Sequence, residues 1–182
     1  MKFVTVFSTC SLQAIGNAKT TRNDNSSRFG KFIELQFNKQ FHISGASMRT
    51  YLLEKSRVVF QAPDERNYHI FYQLCSARDQ LPELHLTHQD NFYYLNQGES
   101  PSVDGVDDLE TFAETVNALH LLGFKKSELN DMFKILASVL HLGNIKFVES
   151  IISTENEQDQ EGCCVPVSIL VTLWNRRLEI RF

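Results

Sequence analysis

Asn23-Asp24-Asn25-Ser26-Ser27-Arg28-Phe29-Gly30-Lys31, reached through Gly16-Asn17-Ala18-Lys19-Thr20, is the run on which the reading of this 182-residue chain turns. It gathers side-chain amides, two hydroxyls and a guanidinium into a few residues, groups suited to phosphate oxygens and a hard metal ion. Upstream, residues 12–16 read as the end of a helix with Gly16 as its left-handed cap. From Asn17 to Gly30 the composition predicts a polar loop.

Downstream, Ile33, Leu35 and Phe37 alternate with Glu34 and Gln36, the period of a half-buried strand. Asn38-Lys39-Gln40 reads as a turn, and a second extended segment runs from His42 to Leu53, with Gly45 and Ala46 placed for a bulge. Pro63-Asp64 predicts a helix start, with Asp64 as cap. Tyr68, Phe71, Tyr72 and Cys75 then recur on one helical face. Pro82, Gly98, Pro101 and Gly105 break the region between Asp79 and Asp108 into loops. Two further stripes predict helices: Phe112, Val116 and Leu119, closed by Gly123, and Leu129 to Leu140, begun at Ser127 and stopped by Gly143. Helical spacing makes the Tyr68/Phe71/Tyr72 stripe core, and His69 and His141 are expected to pack or bond locally. After Phe147 the character changes. Residues 155–161 alternate acids with amides, and Ile169-Leu170-Val171 forms a short β-like run near Trp174 and Arg176-Arg177.

Composition narrows the function classes. Hydrophobic residues make up 42% and charged residues 22%, the balance of a chain that builds a core rather than a disordered one. A net charge of -4 supplies no basic surface for nucleic acid or anionic membrane. No apolar run approaches the roughly 20 residues of a membrane helix. The apolar start Met1 to Phe7 is short, is followed by Ser8 and carries no clear cleavage site, so it does not read as a signal peptide. Cys10, Cys75, Cys163 and Cys164 have neither CxxC nor zinc-type spacing and read as reduced thiols, and His42, His85, His88 and His120 show no metal-ligand spacing.

The opening run resembles the switch I loop of the myosin motor head, and other stretches extend the likeness. They are Tyr51-Leu52-Leu53-Glu54-Lys55-Ser56-Arg57-Val58-Val59-Phe60-Gln61, Glu65-Arg66-Asn67-Tyr68-His69-Ile70-Phe71-Tyr72-Gln73-Leu74, and His141-Leu142-Gly143-Asn144-Ile145. Met48-Arg49-Thr50 and Phe71 to Cys75 lean toward class V-like myosins. The resemblance implies an α/β fold, mixed and helix-rich, that is an incomplete piece of the myosin P-loop NTPase motor domain. It divides the chain into a non-matching 1–11, a partial motor domain at 12–150 and a divergent tail at 151–182. The departures at both ends have the look of an alternative transcript, an incomplete gene model or an excised piece.

The same resemblance implies ATP and Mg²⁺ as cofactors and assigns roles residue by residue. Asn23 contacts the phosphates, and Ser26 lies near the γ-phosphate and the attacking water. Ser27 ligates Mg²⁺ through its hydroxyl, and Arg28 pairs with a switch II glutamate to close the site. Asn17 and Lys19 flank the phosphate chain. Ser26 and Arg28 thus stand as candidate catalytic residues, with Asn17, Lys19, Asn23 and Ser26 for the nucleotide and Ser27 for the metal. Phosphoryl transfer rests on positioning and charge stabilisation, which hydroxyls and amides supply. Asp24, where many myosins carry asparagine, is equally at home in a turn.

Two motifs are missing from the 182 residues. A phosphate-cradling G-x-x-x-x-G-K-[ST] fails at Gly30-Lys31, where Asn25 and Phe32 stand in place of the first glycine and the hydroxyl residue. The pattern Asp-x-x-Gly-Phe-Glu of switch II is also missing, so Arg28 is expected to lack its partner. The leading expectation is therefore a fragment of an actin-based cytoskeletal motor, cytoplasmic and partnered by actin filaments and other myosin head segments, without ATPase activity of its own. Two alternatives accompany it: a non-enzymatic actin- or myosin-binding module, and a poorly folded product whose strand edges lack neighbours.

Overall fold

The computed structural model describes residues 13–146, so the acidic stretch, the Ile169-Leu170-Val171 run, Trp174 and three of the four cysteines lie outside the described residues. A helical end at 13–16 leads into strands β1 (Asn17–Thr20), β2 (Asn23–Ser27), β3 (Gly30–Phe37) and β4 (Ile43–Tyr51). Helices α1 (His69–Ser76), α2 (Asp108–Leu121) and α3 (Lys126–Gly143) follow, with short 3-10 turns before and after α1. The mixed helix and strand content agrees with the expected α/β class.

The expected polar loop at 17–30 is instead an antiparallel hairpin, β1 on β2, with Asn17 opposite Ser27 and Ala18 opposite Ser26. No apolar alternation marks it, because only small or amide side chains (Asn17, Ala18) turn inward and backbone bonds carry the pairing. Thr20 Oγ closes the turn, accepting from Asn23 N at 3.2 Å and donating to Asn23 O at 3.1 Å. Gly16 has no left-handed φ. Its requirement is space, since a Cβ there would lie 2.3 Å from the Phe29 ring.

Strands β3 and β4 form a second hairpin over the expected segments. Asn38 Oδ1 accepts from Gln40 N and His42 N, both at 2.9 Å, which builds the turn from a single side chain. The predicted bulge is present, with Gln36 opposite Gly45 and Phe37 opposite Ile43, leaving Ser44 extra. Register places Ile33, Leu35 and Phe37 on one face with Met48, Ala46 and Ile43. That face is amphipathic as predicted but not half-buried: Phe37 is 56% and Leu35 47% exposed, because no described element lies over it.

The core gathers around α1. Ile70 through Cys75 are all buried, so α1 is a central helix rather than one with a single inner stripe. Phe112 and Leu119 of α2 pack against it, as do Leu129, Phe133, Ala137 and Leu140 of α3, with the Phe112 and Phe133 rings 5.4 Å apart. The helix begins at His69, not at Pro63-Asp64. Asp64 sits in a turn with φ +64°; Tyr68 holds the N-cap position without a side-chain cap bond, and its own N–H donates to Asn67 Oδ1 at 2.8 Å. Asp107 caps α2 through Leu109 N, and Gly123, at φ +98°, ends it as expected. Glu128 reaches back to Lys125 N at 2.8 Å to start α3. Gly143 is the last residue of the helix rather than its stop, and its requirement is space, because the Tyr94 ring occupies the place of a Cβ. His141 packs edge-on to Phe92 with Nε2 3.0 Å from Leu84 O, the local role expected of it. Burial pushes the Cys75 thiol up to about 12, which keeps it unreactive.

Burial pushes His69 down to about 4, with Arg66 acting the same way and Asp24 opposing. The folded state therefore keeps this imidazole neutral, while the unfolded chain protonates it near its ordinary value. The stability this contributes is complete above about pH 6.5 and is lost as pH falls toward the folded value. Urea unfolding is expected to show a loss of up to about 2 kcal/mol between about pH 7 and 5, and a flatter profile in His69→Gln. Parallel profiles for the two proteins would contradict this account.

Candidate functional site

The predicted site residues lie along the β1–β2 hairpin, which is bound to the core at two points. Ala18, fully buried, bridges to Tyr68, and Arg66 N donates to Lys19 O at 3.1 Å. The strand period of two then sorts the polar side chains onto opposite sides.

Asn17, Asn25 and Ser27 form one cluster. The Asn17 side chain is 4% exposed and donates through Nδ2 to Asn25 Oδ1 at 2.9 Å, while its Oδ1 accepts from the Ser27 hydroxyl at 3.0 Å. Because Ser27 spends its proton on Asn17, its oxygen lone pairs stay open to a hard cation. One hydroxyl is a single ligand, and among the described residues no group of three or more His, Cys, Asp or Glu could hold a metal alone. Ser27 thus fits Mg²⁺ as one member of a shell completed by phosphate and water oxygens.

Ser26, Arg28 and Glu54 form the second cluster. Arg28 donates from Nε to Glu54 Oε2 at 2.6 Å and from Nη1 to Ser26 Oγ at 3.2 Å. Arg57 shares the same carboxylate oxygen at 2.7 Å and pairs with Glu65 at 2.9 Å. Burial works against the Glu54 charge, yet the hydrogen bonds from Arg28 and Arg57 prevail and hold its carboxyl below the usual range. The expectation that Arg28 lacks a partner is corrected in one respect: the switch II motif is missing from the sequence, but Arg28 pairs with a different carboxylate, Glu54. Glu54 lies 26 residues away in the run quoted for the resemblance, and no spacing rule connects the two. Only the fold does.

Asn23 sits exposed at the turn, its Oδ1 accepting from Asn25 N at 2.8 Å. Lys19 turns away to Ser100 Oγ at 2.8 Å. The structure thus brings together Asn17 with Ser27 and Ser26 with Arg28, and sets Lys19 apart from both. Sequence reasoning missed Asn25, Glu54, Arg57 and Ser100. Behind β2 a cavity of about 230 Å³ is lined by Asp24, Asn25, His69, Gln73 and Thr115 among others.

Comparison with known proteins places these features in one family. The family model of the myosin head (motor domain) matches residues 4–178, wider than the expected 12–150. Unconventional myosin-Vb of Homo sapiens is 56% identical over 156 residues, 85% of this chain and 8% of that protein. Unconventional myosin-Va of Homo sapiens is 55% identical over 158 residues, again 85% and 8%. Myosin-2A of Naumovozyma castellii is 47% identical over 161 residues, 87% of this chain and 10% of that protein. The chain spans a tenth or less of the length of these relatives.

Asn17→Ala removes the acceptor of Ser27 and the donor to Asn25 at a buried position. A loss of about 1–3 kcal/mol is expected in urea unfolding, and a cycle with Ser27→Ala should give a coupling of about 1 kcal/mol. Strict additivity of the two substitutions would show that the hydrogen bond contributes nothing.

Proposed function

Because this chain belongs to the myosin head (motor domain) family, on its class V-like side, we propose that it is a fragment of an actin-based motor. In this reading the β1–β2 hairpin is one wall of an ATP–Mg²⁺ site, and actin filaments are the partner of the complete head. The observation that carries it is the ordered polar hairpin itself, in which Ser27 keeps its lone pairs open and Arg28 is held rigidly beside Ser26.

When bound, ATP and Mg²⁺ supply the transferable phosphoryl group and the charge that stabilises its transfer. The chain's own residues do the positioning. Ser27 offers one oxygen to the metal, oriented by Asn17. Asn23, exposed at the turn, would offer its side-chain N–H to a phosphate oxygen. Ser26, bonded to the Arg28 guanidinium, lies where a hydroxyl and a positive charge act together. Lys19, engaged with Ser100, contributes positive potential from the side rather than a direct contact. Cytoskeletal localisation follows from the same reading, and among the described residues no helix is long and apolar enough to cross a membrane.

Taken alone, the chain is proposed to be without ATPase activity. Its 182 residues carry no G-x-x-x-x-G-K-[ST], whose backbone cradle and lysine each provide several kcal/mol of phosphate and transition-state stabilisation. Purified chain should release no phosphate from Mg-ATP above a no-protein control. Turnover that requires Mg²⁺ and is lost in Ser27→Ala would overturn this.

A second reading, a non-enzymatic module that binds actin or other myosin head segments, is favoured by one observation. The uncovered apolar face of the β3–β4 hairpin, Ile33, Leu35, Phe37, Ile43 and Met48, is suited to burial against another protein surface. Co-sedimentation separates the partners. Pelleting with actin filaments above a no-actin control supports actin, and its absence alongside binding to a myosin head preparation supports the head segments.

A further inference from the structure

We infer that Glu54 is a positioning residue of the hairpin site, acting through Arg28. Three features lead to this role. The first is that Glu54 is itself fixed on both sides of its backbone, its N–H donating to Arg28 O at 2.9 Å and its carbonyl accepting from the Tyr68 hydroxyl at 2.7 Å. The second is the anchor behind its carboxylate. Arg57, 5% exposed, holds Glu54 through Nε, Glu65 through Nη1, and the backbone carbonyl of Arg66 at 3.1 Å. A rigid line therefore runs from the turn before α1, through Arg57 and Glu54, to Arg28.

The third feature is which edge of the guanidinium is used. Glu54 takes Nε and Ser26 takes Nη1, while Nη2 has no partner among the described residues. A carboxylate on Nε and a hydroxyl on Nη1 fix the guanidinium plane from two sides and leave Nη2 as its donor without a partner among the described residues. Glu54 thus does not block Arg28. It selects the rotamer that holds the guanidinium beside Ser26, so an incoming oxyanion meets a preset donor at Nη2 rather than a freely rotating side chain. The role deepens the nucleotide-site reading of the hairpin, yet it is measured without nucleotide, so its failure and the failure of that reading are separable.

The test uses the full 182-residue chain in solution, following the Arg28 Nε–H resonance and backbone amide exchange by nuclear magnetic resonance. In Glu54→Gln the Arg28 Nε–H is expected to lose its shifted, slowly exchanging signal. The Ser26 and Arg28 amides should exchange about tenfold faster, with the Leu74 and Cys75 amides of α1 unchanged. Glu54→Asp should restore part of both signatures. An unchanged Nε–H signal in Glu54→Gln, or acceleration in α1 equal to that in the hairpin, would overturn the role. If Glu54→Gln does not fold, Arg28→Lys leaves the Glu54–Arg57 pair in place and should loosen the same amides by a similar factor. Hairpin exchange that stays at the parent rate in Arg28→Lys would also overturn it.

Discussion

The turn Arg66-Asn67-Tyr68, buried ahead of α1, is the constraint on which the other elements depend. Arg66 is fully buried, lies 3.7 Å from the centre of the Tyr72 ring and pairs with Asp108 at 2.6 Å, tying α1 to the start of α2. Its Nε and Nη1 have no hydrogen-bond partner among the described residues, so the ring face and one carboxylate compensate the buried charge. Asn67, also fully buried, donates to Val58 O and Tyr94 O at 2.9 Å each. Its N–H meets the Tyr72 hydroxyl, which in turn donates to Leu95 O. Two adjacent side chains thereby join two loops and two helices. Removing either would strand several buried polar groups at once, and each such group costs far more unpaired than a single bond returns.

The candidate site inherits its geometry from this turn. Arg66 N and the Tyr68 bridge pin β1, and the Arg66 carbonyl holds Arg57, which holds Glu54 and through it Arg28. The polar hairpin has almost no apolar content of its own, so core burial alone would not order it. Its order comes from hydrogen bonds borrowed from a rigid neighbour. This is how hydroxyls and amides come to be held in one arrangement before any ligand is present.

The β3–β4 hairpin shows the opposite arrangement. It has a well-formed turn, a bulge and a consistent register, yet its apolar face is uncovered among the described residues. A two-stranded sheet with a bare hydrophobic face is marginal by itself and gains most from a packing partner. The matched part of this chain covers only 8% and 10% of two relatives of the family.

Sequence alone determined the family and nominated the side chains of the candidate site. Irregular runs such as Asn23 to Lys31 and Glu65 to Leu74 are specific whatever their conformation, and side-chain type already says which groups suit phosphate or a hard cation. Helices α2 and α3 and the β3–β4 hairpin were also legible, because apolar periodicity is written locally. The β1–β2 hairpin was not, since its pairing is carried by backbone groups that every residue possesses. Nor was the start of α1, where Asp64 looks like a cap but Tyr68 holds the N-cap position with no side-chain cap bond. Tertiary structure alone decided that Arg28 is partnered, that Lys19 turns to Ser100, and that Gly16 and Gly143 answer to the Phe29 and Tyr94 rings. The reason is the same in each case. These contacts join residues far apart in the chain, and their energy depends on distance in space, which sequence separation does not encode.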